Sequence, residues 1–130
     1  MARYSYEIGP TEVGMVNVET LNGGLCPAPM GMAVSPYSAF YTTVDGTEHG
    51  DGFAHCEWRF SRLSKADWAA LIDVYCPTQT GNVYINTRGA GGTYTTYTAK
   101  MHRPKQGTEC RWAINSWRDV VIRFTMLVAA

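Results

Sequence analysis

The sequence carries no excess charge of either sign. Lysine and arginine number 11, aspartate and glutamate 11, and the formal net charge is zero. Only three residues are lysine. So balanced a chain lacks the electrostatic footprint of a general nucleic-acid binder. It also lacks the mutual repulsion that keeps copies apart. Long apolar runs are missing too. No stretch approaches the roughly 20 residues that span a bilayer. The C-terminal segment comes nearest, and Arg118, Asp119 and Arg123 interrupt it. The opening residues, MARYSYEIGP, have no apolar core of signal-peptide length, so no secretion signal is expected. There is no N-x-S/T glycosylation acceptor. Four cysteines are present, Cys26, Cys56, Cys76 and Cys110, but none pair as C-x-x-C, so the usual zinc-ribbon spacing is absent.

What is there suits one packed domain over residues 1–130: 45% of the residues are hydrophobic and 17% charged. Residues 12–21, EVGMVNVETL, read as a first strand with Val16 and Val18 on one face. Residues 22–36, NGGLCPAPMGMAVSP, are dense in glycine and proline, and Pro27 and Pro29 forbid a central strand. A structureless run of this length usually has a task. It reads as an extended arm or loop that packs on a neighbouring subunit through Leu25, Met30, Met32 and Val34. YSAFYTTV, 37–44, reads as a strand, DGTEHGDG, 45–52, as a turn or loop, and FAHCEWRFSRL, 53–63, as a strand facing Cys56, Trp58 and Phe60 inward.

The sharpest local signal is a helix start. Ser64 as N-cap with Asp67 three residues on makes a capping box, and Leu63 can staple onto Trp68. Trp68, Leu71, Ile72 and Tyr75 then share one helical face, and Pro77 ends the helix, which spans about 65–75. Strands follow at 82–87 and 93–103, joined by the glycine-rich hairpin loop 88–92. A weaker strand or bend follows at 110–117. In the last strand, 119–128, Val120, Ile122, Phe124, Met126 and Val128 alternate onto one face. The fold class is mainly β: a β-sandwich or partly closed barrel with one short packed helix.

No catalytic, cofactor-binding or metal-binding residues are assigned. Asp45, Glu48, His49 and Asp51 crowd one tip and open like a calcium loop. The pattern then fails, with Thr47 at position 3, His49 at position 5 and Cys56 at position 12. The loop Gly89–Gly92 lacks the lysine and following helix of a phosphate-binding loop. His55 and Cys56 are adjacent on a strand and point to opposite faces, so they cannot act as base and nucleophile, and Ser61 has no partner in view. Trp58 and Trp68 sit on apolar faces and read as core.

The stretch from Asp45 to Leu127 resembles the minor-tail and distal-tail proteins of long-tailed bacteriophages, whose domains share the tail-tube β-sandwich. Four features carry the likeness: the strand Trp58-Arg-Phe-Ser-Arg-Leu-Ser64, the helix from Asp67-Trp68 to Tyr75, the strand Gly81-Asn-Val-Tyr-Ile-Asn-Thr87 leading to the hairpin, and the terminal strand Trp117-Arg-Asp-Val-Val-Ile-Arg-Phe124. The first 44 residues carry none of it. The resemblance implies a virion structural protein of the tail, assembled in the bacterial host cytoplasm. Its expected partners are copies of itself in a symmetric ring and neighbouring tail proteins. It implies no enzyme activity, cofactor, small-molecule substrate, membrane insertion or sequence-specific nucleic-acid binding. Assembly in that compartment argues for four thiols rather than disulfides. A capsid decoration protein is the alternative reading, and a small ligand-binding β-barrel a further one.

Overall fold

The computed structural model describes residues 6–31, 34–35, 39–89, 92–114 and 116–130. In chain order these form β1 (Glu7–Gly9), β2 (Val16–Asn17), a 3-10 turn (Val18–Thr20), α1 (Leu21–Gly24), β3 (Met30–Gly31), β4 (Ala39–Thr42), β5 (Glu48–Asp51), β6 (His55–Ser64), α2 (Lys65–Tyr75), β7 (Thr80–Arg88), β8 (Tyr94–His102), β9 (Arg111–Ala113) and β10 (Ser116–Ala129). The mainly β fold class stands. One antiparallel sheet runs β2-β1-β7-β8-β10-β6-β3, with β9 also paired to β10. Among the described residues its end strands, β2 and β3, do not pair, so the barrel is not closed. The sheet is nevertheless curled. Trp58 on β6 donates its indole N–H to Thr87 Oγ1 on β7, two strands beyond its sheet neighbour β10, at 3.1 Å. Trp58, Phe124, Leu63, Ile85, Met101 and Ile122 fill the interior, each essentially without solvent contact.

The helix forms as its capping box requires. The Ser64 hydroxyl accepts from the Asp67 N–H at 3.1 Å, and Asp67 Oδ2 accepts from the Ser64 N–H at 3.3 Å. Trp68, Leu71 and Ile72 are buried against the sheet, and the helix ends at Tyr75, two residues before Pro77.

Four expectations change. The first strand shrinks to Val16–Asn17, because Asn17 caps a 3-10 turn instead: its side chain accepts from the Glu19 N–H at 2.9 Å. The arm at 22–36 folds back on its own domain. Asn22 and Gly23, at φ 52° and 67°, reverse the chain, and Asn22 Nδ2 donates to Asp67 Oδ1 at 2.8 Å. Cys26, Pro29 and Val34 are buried, and Met30 and Gly31 pair with Arg59 and Trp58. The two prolines precede an edge strand, where their missing N–H groups do no harm. Leu25 and Met30 remain outward at 77% and 67% exposure, while Met32 and Pro36 lie outside the described residues.

The tip 45–52 is half strand: residues 48–51 form β5 and pair with β4. Tyr37 and Ser38, read as the start of that strand, lie outside the described residues. Finally, the alternation of the last strand breaks. Register shifts between Thr125 and Val128, with Met126 at φ 57°. This bulge inverts the faces, so Leu127 is buried and Met126 and Val128 face solvent.

Candidate functional site

The residues singled out for chemistry do not converge. At the tip, Asp45 Oδ1 accepts from the Thr47 N–H at 3.0 Å and from the Thr43 hydroxyl, while Gly46, at φ 85°, closes the turn by donating to the Thr43 carbonyl. These bonds hold the Asp45 carboxyl below its usual range, the Thr43 hydroxyl contributing most. The carboxylate therefore serves the turn. Glu48 is exposed, and the side chains of His49 and Asp51 lie outside those described. Among the described residues no three His, Cys, Asp or Glu side chains gather as a metal site requires. In the glycine loop, Gly89 donates to the Thr93 carbonyl at 2.7 Å and Gly92 to the Gly89 carbonyl at 3.0 Å, a hairpin closure; Ala90 and Gly91 lie outside the described residues. Cys56 is buried, its neighbour His55 half-buried and Ser61 exposed.

All four cysteines are free and buried. Burial pushes the thiols of Cys26 and Cys56 up to about 12 and raises those of Cys76 and Cys110. Such thiols stay protonated at neutral pH and are poor nucleophiles.

A hollow of about 430 Å³ is lined by Gln79, Thr80, His102, Arg103, Lys105 and Arg123, among others. Its cations are largely neutralised. Arg103 pairs with Asp73 at 2.8 Å, and Arg123 pairs with Glu109. His102 is held below its usual range, first by burial and then by the Arg123 charge, and its Nε2 lies 2.7 Å from Thr125 Oγ1.

A second hollow, of the same volume, is aromatic and more open. Helix α2 supplies Lys65, Trp68 and Asp73, β9 supplies Trp112, β10 supplies Trp117, and the chain between β8 and β9 supplies Gln106, around a groove of about 430 Å³. The hairpin of β9 and β10 places Trp112 directly opposite Trp117. Trp117 stacks on Trp68 with centroids 4.3 Å apart and planes 22° apart, and meets Trp112 edge-on at 5.1 Å and 64°. Arg103 lies over the Trp68 ring at 5.6 Å and donates to the Cys76 carbonyl at 3.1 Å. Three of the four tryptophans thus form one cluster. The sequence reading placed Trp68 in the core and missed the other two. The available signal was the five-residue spacing of Trp112 and Trp117, which the pairing of β9 with β10 turns into a facing pair.

A second surface is set apart from the sheet. β4 and β5 form a two-stranded ribbon that, among the described residues, pairs with no strand of the main sheet. Tyr41 and Val44 are exposed on it, Val44 at its turn fully so. Comparison with family models, curated proteins and solved structures returned no match.

Proposed function

We propose that this chain is a structural subunit of a long-tailed bacteriophage tail, not an enzyme. It assembles as a ring of copies or docks on the tail tube or tip, and its contacts are with itself and neighbouring tail proteins. The observation that carries this reading is the β4–β5 ribbon. Among the described residues the ribbon pairs with no strand of the main sheet, and Val44 at its turn is fully exposed, an apolar side chain that a neighbouring subunit would cover. The zero net charge supports the reading, since copies meet without long-range repulsion. So does the outer edge of β6: Met30 and Gly31 pair with Arg59 and Trp58, and Ser35 bridges to His55, while Phe60 to Ser64 have no strand partner on that side among the described residues.

Quantitative peptide mass spectrometry on purified particles, with tails separated from shells, tests this. The reading expects the chain in the tail fraction at a fixed copy number. Recovery in shells alone makes it a decoration protein, and absence from both fractions contradicts a virion role. Replacing residues 39–51 with a short glycine–serine linker is expected to leave a folded monomer that no longer assembles. Normal assembly of that variant removes the ribbon from the account.

A further inference from the structure

We propose that the tryptophan groove is a carbohydrate-binding site that takes the pyranose rings of a glycan. This inference does not rest on the tail reading. A pyranose presents C–H groups on its faces and hydroxyls around its edge, so it needs an indole surface ringed by hydrogen-bonding groups. The groove has both. Trp112 is 43% exposed, a large cost for an indole unless something covers it. It meets Trp117 edge-on, and Trp117 is itself stacked on Trp68.

Lys65, Asp73 and Gln106 line the same groove. Among the described residues the structure records no hydrogen bond or ion pair for the side chains of Lys65 and Gln106. Asp73 gives Oδ1 to Arg103, which leaves Oδ2 as an acceptor. Lys65 donates, Gln106 both donates and accepts, and Asp73 accepts, a set beside an aromatic platform that matches a neutral polyol edge. A volume of about 430 Å³ falls among ordinary small-ligand sites.

Other ligands fit less well. A nucleic-acid strand stacks on aromatics but needs cations along its phosphates. This groove carries the Asp73 carboxylate, paired with Arg103, and one further cation, Lys65, about two turns away on the helix. A quaternary ammonium needs several ring faces converging on it. Here Trp68 and Trp117 cover each other, and Lys65 repels the charge. A proline-rich segment docks in aromatic grooves but has no use for the carboxylate, so it is the competing outcome.

The test is titration of the full chain with chitotriose, cellotriose and maltotriose, each up to about 10 mM. Tryptophan emission and calorimetry are the readouts, and a decaproline peptide is titrated in parallel. At least one trisaccharide is expected to saturate with a shift in tryptophan emission. Trp112→Ala is expected to weaken that binding about tenfold or more. Trp112→Phe keeps part of it, and Gln106→Ala weakens it less than Trp112→Ala. Thermal melts of the variants separate lost binding from lost folding. No saturable binding of any trisaccharide overturns the proposal. So does binding that a folded Trp112→Ala variant retains in full, or saturable binding of decaproline alone.

Discussion

Gly81 is the second residue of β7, and the end of α2 passes over it. A Cβ there would lie 2.6 Å from the Tyr75 carbonyl oxygen, a backbone atom at the helix terminus that cannot swing aside. Gly81→Ala is expected to cost about 1–3 kcal/mol, the range of overpacking in a fitted site. Chemical denaturation measures it, and an unchanged midpoint contradicts this packing of helix on strand. The buried thiols add a pH dependence. The Cys26 and Cys56 thiols, ordinarily near 9.0, sit at about 12 in the folded chain. Between those values the unfolded chain sheds protons that the folded chain keeps, so stability falls as pH rises through that window and is unaffected by this term below it. The melting temperature is expected to drop less steeply from pH 9 to 12 in Cys56→Ala than in the parent chain, whatever their difference at pH 7. Equal slopes contradict the assignment. Neither Gly81 nor the bulge at Met126 is legible in the sequence. Both are set by what lies opposite in space, and the clean alternation from Val120 to Val128 gives no warning that Met126 adopts φ 57°.

Elements whose signals are local were readable. Ser64, Asp67 and Pro77 fix α2 by hydrogen bonds and steric limits within a few residues, and the helix spans Lys65–Tyr75. Ser64→Ala is expected to cost roughly 1 kcal/mol through loss of the cap. A thermal melt equal to that of the parent chain says that the cap bond is not formed. β6, β7 and β8 were readable where a buried face imposes alternation, over Cys56–Phe60, Val83–Ile85 and Ala99–Met101, although Asn86 and Thr87 of β7 are buried on both faces. The segments that escaped depend on distant partners. β1 is three residues long and exists by pairing with β2 and β7. β3 is two residues held by Arg59 and Trp58, after a stretch whose composition says only that it is irregular. Asp67 shows the same divide. Its capping role follows from spacing to Ser64, whereas its bond to Asn22, 45 residues away, ties α1 to α2 and was invisible in the sequence. The tryptophan groove is nonlocal in the same sense, assembled from α2 and the β9–β10 hairpin.

At the scale of the molecule, the described residues form a curled antiparallel sheet with a filled interior, the short helix α1, the docked helix α2 and a ribbon that pairs with no strand of the sheet. Leu25, Met30, Val44, Ile114 and Val128 are each more than half exposed, on a chain with no net charge to hold its copies apart. Ile114 stands at the β9–β10 turn with φ 34°, a conformation that a β-branched residue adopts only under constraint. Under the proposed function, these surfaces are covered by further copies of the same chain. Native mass spectrometry of the purified chain across a concentration series tests it most directly. The account predicts one closed oligomer of fixed stoichiometry that grows in with concentration at the expense of monomer. A monomer at every concentration would contradict it.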